Sequence, residues 1–184
     1  MYIKTIPNIL TFSRIIFVPF FIVFFYSNLF YYKLLSLILF FVCSLTDFLD
    51  GYLARKYNLV TTIGKFIDPL ADKILILSAF FIIHNEYPEY IPFWMVLGIL
   101  FRDVLITSLR LFLKFKNKSL KTSILAKGKT LFQIIVIHLM LCMHVFNSFD
   151  NSLLTEYVFY TLMLLCVLFT IFSGLHYLFI NLFN

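Results

Sequence analysis

Charge is what this sequence has least of. Only 13% of its 184 residues are Asp, Glu, Lys or Arg, where a water-soluble domain uses about a quarter to cover its surface. Most of the outer surface must therefore face something other than water. Glycine and proline are also scarce, at 5 each, and fall mainly near the ends of apolar runs. That suits helices and argues against an open sheet, whose edges would leave backbone groups unpaired in lipid. The three cysteines, Cys43, Cys142 and Cys166, are odd in number, sit among apolar residues and lack metal-ligand spacing, so they read as small core residues. His84, His138, His144 and His176 form no HxxxH or HExxH pattern. His138 and Cys142 share a helix face, but two ligands do not make a zinc site. No short apolar core followed by a small-residue cleavage site opens the chain, so the first apolar run is expected to stay in the mature protein.

What is abundant is apolar: 62% of the residues are hydrophobic, with 25 Phe and 11 Tyr. Apolar stretches of about 20 residues are what a helix needs to cross a ~30 Å hydrocarbon layer. Six such spans are expected, from Ile9 to Tyr26, Leu34 to Tyr57, Phe66 to His84, Phe93 to Phe115, Thr130 to Phe146 and Leu153 to Phe183. Pro88 and Pro92 bracket the turn between the third and fourth. There is no internal repeat and no low-complexity linker. The expected fold is an all-α, polytopic membrane bundle of six transmembrane helices, one domain over residues 1–184.

Basic residues set the orientation. With the N-terminus cytoplasmic, the inner side carries Lys4, Arg55, Lys56, Lys65, Arg110, Lys114, Lys116, Lys118, Lys121, Lys127 and Lys129, and the outer loops only Lys33. The positive-inside rule then places both termini in the cytoplasm. The outer loops hold Glu86, Glu89, Asp150 and Glu156. The net charge of +6 thus belongs to one face, as a topology signal or as a surface for anionic lipid and phosphate. Nucleic acid is not an expected partner, because the basic residues flank lipid-buried helices.

Residues 44–74, SLTDFLDGYLARKYNLVTTIGKFIDPLADKI, carry four carboxylates in two pairs, Asp47 with Asp50 and Asp68 with Asp72. Spacings of three and four place each pair on one face of its own helix. Tyr57, Asn58, Thr61, Thr62 and Gly64 supply a connection between antiparallel helices. Asp47 then lies roughly 15 Å from the turn, at 1.5 Å per residue. Carboxylates so close raise one another's pKa, and a charge inside a span costs ~3 kcal/mol on insertion scales. Divalent cations relieve both, and oxygen-only ligands favour Mg²⁺, Mn²⁺ or Ca²⁺ over zinc. Gly51, Ala54 and Gly64 clear space beside the backbone, and Arg55 offers a fixed charge for phosphate. The plain alternative is that the acids pair with Arg55, Lys56, Lys65 and Lys73 as interhelical glue.

Asp47, Asp50, Gly51, Ala54, Arg55, Gly64, Asp68 and Asp72 spell D-x-x-D-G-x-x-A-R-x8-G-x-x-x-D-x-x-x-D over 26 residues. This resembles the signature of the CDP-alcohol phosphatidyltransferases, with every defining position filled. The resemblance implies a six-span membrane enzyme that is a homodimer and uses two metal ions, Mg²⁺ or Mn²⁺. Asp47, Asp50 and Asp68 would be metal ligands, and Asp72 both ligand and general base on the acceptor hydroxyl. Gly51, Ala54, Arg55 and Gly64 would line the cytidine diphosphate site of CDP-diacylglycerol.

The flanks address the acceptor. IPNILTFSRIIFVPFF, with Pro7, Asn8, Thr11, Arg14 and Pro19, resembles bacterial members that use glycerol 3-phosphate. So do LGILFRDVLITSLR, through Arg102, Asp103 and Arg110, and LAKGKTLFQ, through Lys127, Lys129, Thr130 and Gln133. The likeness weakens after about residue 146. It implies a bacterial inner-membrane enzyme with its active site on the cytoplasmic side. A dianionic acceptor needs cations beyond the nucleotide site, and Arg102 and Arg110, eight residues apart, share a helix face two turns apart. With Lys127 or Lys129 they form a candidate phosphate cradle. Alternatively Arg102 pairs within the bundle, Arg110 anchors a helix end, and Arg14 snorkels to the surface. Competing functions are the same chemistry on another acceptor, as in cardiolipin or phosphatidylserine synthesis, and a metal-ion or proton transporter. Transport predicts a polar path across the membrane, which the nearly uncharged fifth and sixth spans do not offer.

Overall fold

A helix in lipid must satisfy its own backbone, and the chain answers with helices throughout. The computed structural model describes residues 6–56, 64–116, 124–146 and 153–182. They form α1 (Ile6–Phe25), α2 (Phe30–Lys56), α3 (Gly64–Glu86), α4 (Phe93–Phe115), α5 (Ile124–Val145) and α6 (Leu153–Leu182). Helix α4 has the limits expected from its flanking prolines and lysines. Helix α5 begins six residues before Thr130 and α2 four before Leu34, because backbone pairing continues past the point where the side chains turn polar. Pro7 falls in the first turn of α1, where its missing N–H costs nothing; Pro19 lies inside the helix.

The faces are arranged inside out. On α6, Leu168, Phe172, Leu175 and Phe179 are exposed, while Cys166, Thr170, Ser173 and Tyr177 are buried. On α4 the exposed row is Phe101, Val104, Leu105 and Phe112, and Asp103 is buried. Such a surface suits hydrocarbon. Hydroxyls inside the helices donate to their own backbone: Ser36 to Lys33 O, Thr46 to Cys43 O, Ser78 to Leu75 O and Thr107 to Asp103 O. Among the described residues, Gly128–Val145 and Tyr157–Asn181 are the stretches long and apolar enough to cross a membrane.

The chain divides into two units. The first comprises Met1–Ile82 and Ile137–Ser148. Here α1 packs on α2 through Phe21 and Phe40, whose ring centroids are 5.6 Å apart. His138 meets Phe40 edge-on at 5.0 Å. His144 stacks on Phe25 at 4.2 Å, and its Nε2 lies 3.1 Å from the Phe25 carbonyl. That carbonyl ends α1 and lacks a partner within its helix, so the Nε2–H tautomer of His144 caps it.

The second unit comprises Ile83–Val136 and Phe149–Asn184. Helix α4 packs on α6, and their contacts rise in number together. Gly98 faces Val167 and Gly174 faces Arg102, while Arg110 reaches Tyr177. The two helices therefore run in the same direction. The loop before α4 is closed by His84 Nδ1, 2.7 Å from Ile91 O. Burial, reinforced by Glu86 and Tyr90, pushes the Tyr87 phenol in this loop up, so it stays protonated near neutrality.

The buried amide of Gln133 donates to Thr170 Oγ1 at 3.2 Å, and Gln133 Oε1 has no hydrogen-bond partner among the described residues. Thr170→Val should therefore cost about 1–3 kcal/mol by stranding the amide as well. Leu168→Ala, on the lipid-facing side of the same turn, should leave the thermal midpoint in detergent nearly unchanged.

Candidate active site

On α2 the buried positions Ser36, Phe40 and Cys43 recur at steps of four and three, the spacing of one helical face. Continuing those steps arrives at Asp47, Asp50 with Gly51, and Ala54, all within the same unbroken helix, which ends at Lys56. On α3 the buried positions Ala71, Leu75, Ile76 and Ala79 extend backwards to Asp72 and Asp68. The register of each helix thus puts its acidic pair on the stripe that is buried further along. Gly64 opens α3. Both helix segments belong to the first unit.

Axial rise fixes the heights of the acids. Measured back from Lys56, Asp50 and Asp47 stand about 9 and 14 Å from the end of α2, and Asp68 and Asp72 about 6 and 12 Å from the start of α3. The side chains of Asp47, Asp50, Arg55, Asp68, Asp72 and Lys127 lie outside the described residues, as does the connection 57–63. Residues 44–74 hold four carboxylates and no cysteine or histidine, a donor set that fits hard divalent cations. Arg14, for which snorkelling was one reading, is instead buried in the same unit, only 1% exposed.

The second unit holds a buried cationic cluster. Lys129 is buried, and its ammonium lies 2.7 and 2.9 Å from the two oxygens of Asp103. Arg102 Nη1 donates to the same carboxylate at 3.0 Å, and Nη2 donates to Ser173 Oγ at 2.7 Å. Among the described residues, two cations thus share the Asp103 carboxylate in a buried cluster. Arg110 lies on the same α4 face and sits 5.5 Å from the centre of the Tyr177 ring. The structure brings Arg102 and Lys129 together through Asp103, while Arg110 stands apart on Tyr177. Thr170, Ser173, Gly174 and Tyr177 were not singled out from sequence. Their signal was a small or polar residue every three or four positions in an otherwise apolar helix.

Comparison with known proteins gives the same direction. Residues 4–172 match the model of the CDP-alcohol phosphatidyltransferase family. A CDP-diacylglycerol–glycerol-3-phosphate 3-phosphatidyltransferase of Rickettsia typhi is 40% identical over 75% of this chain and 76% of its own length. The enzyme of the same name from Bacillus subtilis is 37% identical over 94% of this chain and 92% of its own. That of Salmonella paratyphi A is 31% identical over the same shares. With the family match spanning nearly the whole chain and relatives of this similarity covering both partners, the chain belongs to the CDP-alcohol phosphatidyltransferase family.

Proposed function

We propose that this membrane enzyme is a phosphatidylglycerophosphate synthase, transferring the phosphatidyl group of CDP-diacylglycerol to a hydroxyl of glycerol 3-phosphate and releasing CMP. The observation that carries this reading is the agreement of the acceptor named in the relatives with a buried cationic cluster in which, among the described residues, Arg102 and Lys129 meet on the Asp103 carboxylate. A dianionic acceptor needs such charge; serine would not.

Asp47, Asp50, Asp68 and Asp72 would hold two Mg²⁺ or Mn²⁺ ions, which when bound neutralise the pyrophosphate and stabilise the entering and leaving oxygens. Arg55, Gly51, Ala54 and Gly64 accommodate the cytidine diphosphate, the arginine by charge and the small residues by allowing close approach. Asp72 accepts the proton of the acceptor hydroxyl. The freed oxygen attacks the phosphorus that bears diacylglycerol, a new phosphodiester forms, and the bond to the CMP oxygen breaks. No covalent enzyme intermediate is required. Arg102 and Arg110, with Lys127 and with the charge of Lys129 held on Asp103, receive the acceptor's own phosphate.

The same reading takes residues 1–184 as one domain that crosses the membrane six times and assembles as a homodimer. Both termini and the acidic stripe lie on the cytoplasmic side of a bacterial inner membrane. The segregation of Lys and Arg supports this orientation, and the length of the family match, 4–172, supports the single domain.

Purified chain with CDP-diacylglycerol and Mg²⁺ should release CMP with glycerol 3-phosphate, and not with serine, inositol phosphate or phosphatidylglycerol. Release with one of the others keeps the family and rejects this acceptor. Asp72→Asn should lower kcat about 10²- to 10⁴-fold, the usual contribution of a general base, with its thermal midpoint retained. Chelation by EDTA should abolish CMP release, and added Mg²⁺ or Mn²⁺ should restore it; activity that survives chelation would remove the metal roles of the four aspartates.

A further inference from the structure

Helix α6 buries a polar track in the second unit. Thr170 and Ser173 are fully buried and Tyr177 is 1% exposed, on one face at steps of three and four, with Gly174 beside Ser173. Polar atoms inside a lipid-embedded bundle are kept where they bond to something. On this track Thr170 meets Gln133 of α5, while Ser173 and Tyr177 meet the two arginines of α4. Ser173 Oγ accepts from Arg102 Nη2 at 2.7 Å and donates to Thr170 O at 3.1 Å, so the hydroxyl is oriented towards its role as acceptor. A Cβ at position 174 would stand 3.1 Å from both Cγ and Nε of Arg102. An alanine there would press on the arginine, which would have to give by a few tenths of an ångström.

Arg102 is therefore held at both ends of its fork, Nη1 by Asp103 at 3.0 Å and Nη2 by Ser173, while Nε has no hydrogen-bond partner among the described residues. A guanidinium has five donors in one rigid plane. With two engaged, the plane of the guanidinium is set. Four residues further along α6, the Tyr177 ring lies 5.5 Å from the Arg110 guanidinium carbon. The phenol oxygen has no partner among the described residues, so the ring face is what the arginine uses.

We propose that Ser173, Gly174 and Tyr177 are positioning residues for the acceptor, setting the guanidinium planes of Arg102 and Arg110 that receive its phosphate. This rests on the reading that those arginines bind the acceptor. All three positioning residues lie beyond residue 172, where the family match ends. They are a feature of the last helix of this chain, reached through the arginines rather than through the signature.

The test is steady-state kinetics of the full chain in detergent, with CDP-diacylglycerol saturating and glycerol 3-phosphate varied. Ser173→Ala and Gly174→Ala should each raise KM for glycerol 3-phosphate on the order of five- to tenfold, as expected when one charge-assisted contact is lost. KM for CDP-diacylglycerol and the thermal midpoint should stay within twofold and a few degrees of wild type. Ser173→Thr, which keeps the hydroxyl, should restore the acceptor KM. Tyr177→Phe should retain it and Tyr177→Leu should raise it. Arg102→Lys is run beside them. If it raises the acceptor KM while the Ser173 and Gly174 variants do not, the positioning role is overturned and the acceptor site stands. If Arg102→Lys leaves the acceptor KM unchanged, the assignment of that site fails and the positioning role fails with it. Loss of midpoint and kcat with no change in KM would make the α6 track mere packing. Should Gly174→Ala not fold, the Ser173 pair decides alone.

Discussion

Hydrocarbon offers no partner to a charge, so a cation carried into the helical interior has to be answered by the protein itself. In the second unit that answer is the Asp103 carboxylate on α4, which takes both contacts from Lys129 on α5 and one from Arg102 on its own helix. Removing one member of a buried pair costs about 3–5 kcal/mol, chiefly because the other is left uncompensated. Here two cations depend on the same acid, so the packing of α4, α5 and α6 is tied to it. Ser173 extends the connection to α6, and Thr170 extends it again to Gln133.

The remaining structure follows from keeping such groups inward and apolar ones outward. Phe and Leu rows face out on α4 and α6, and the hydroxyls of Ser36, Thr46 and Ser78 bond to their own helices. The first unit has a different interior. Its aromatic contacts, Phe21 with Phe40 and Phe25 with His144, are each worth about 0.5–1.5 kcal/mol beyond area burial. The first braces α1 against α2, the helix that leads into the acidic stripe, and the second braces α1 against α5.

The four signature aspartates belong to the first unit, and the cluster of Arg102, Asp103 and Lys129 to the second. Charged groups interact more strongly in a low-dielectric interior than in water, so ion pairing inside the helices counts for more than the same pairing at a wet surface.

The helical class, the ends of α4 and the acidic signature were all legible in the sequence, because hydropathy, flanking prolines and residue spacing are local properties. The start of α5 was not: Lys127 and Lys129 read as a loop by polarity, whereas backbone hydrogen bonding carries the helix through them. Periodicity could say that Arg102 and Arg110 share a face. It could not say that the face meets α6, that Lys129 is committed to Asp103, or that Arg14 is buried rather than at the surface. Nor did it mark Ser173, Gly174 and Tyr177 in a run of apolar residues. The sequence by itself determined a helical membrane protein with a four-carboxylate signature; only the tertiary structure decided which buried polar groups meet. Spacing along one helix orders its own faces, while an ion pair is chosen by the neighbour that packing brings within 3 Å.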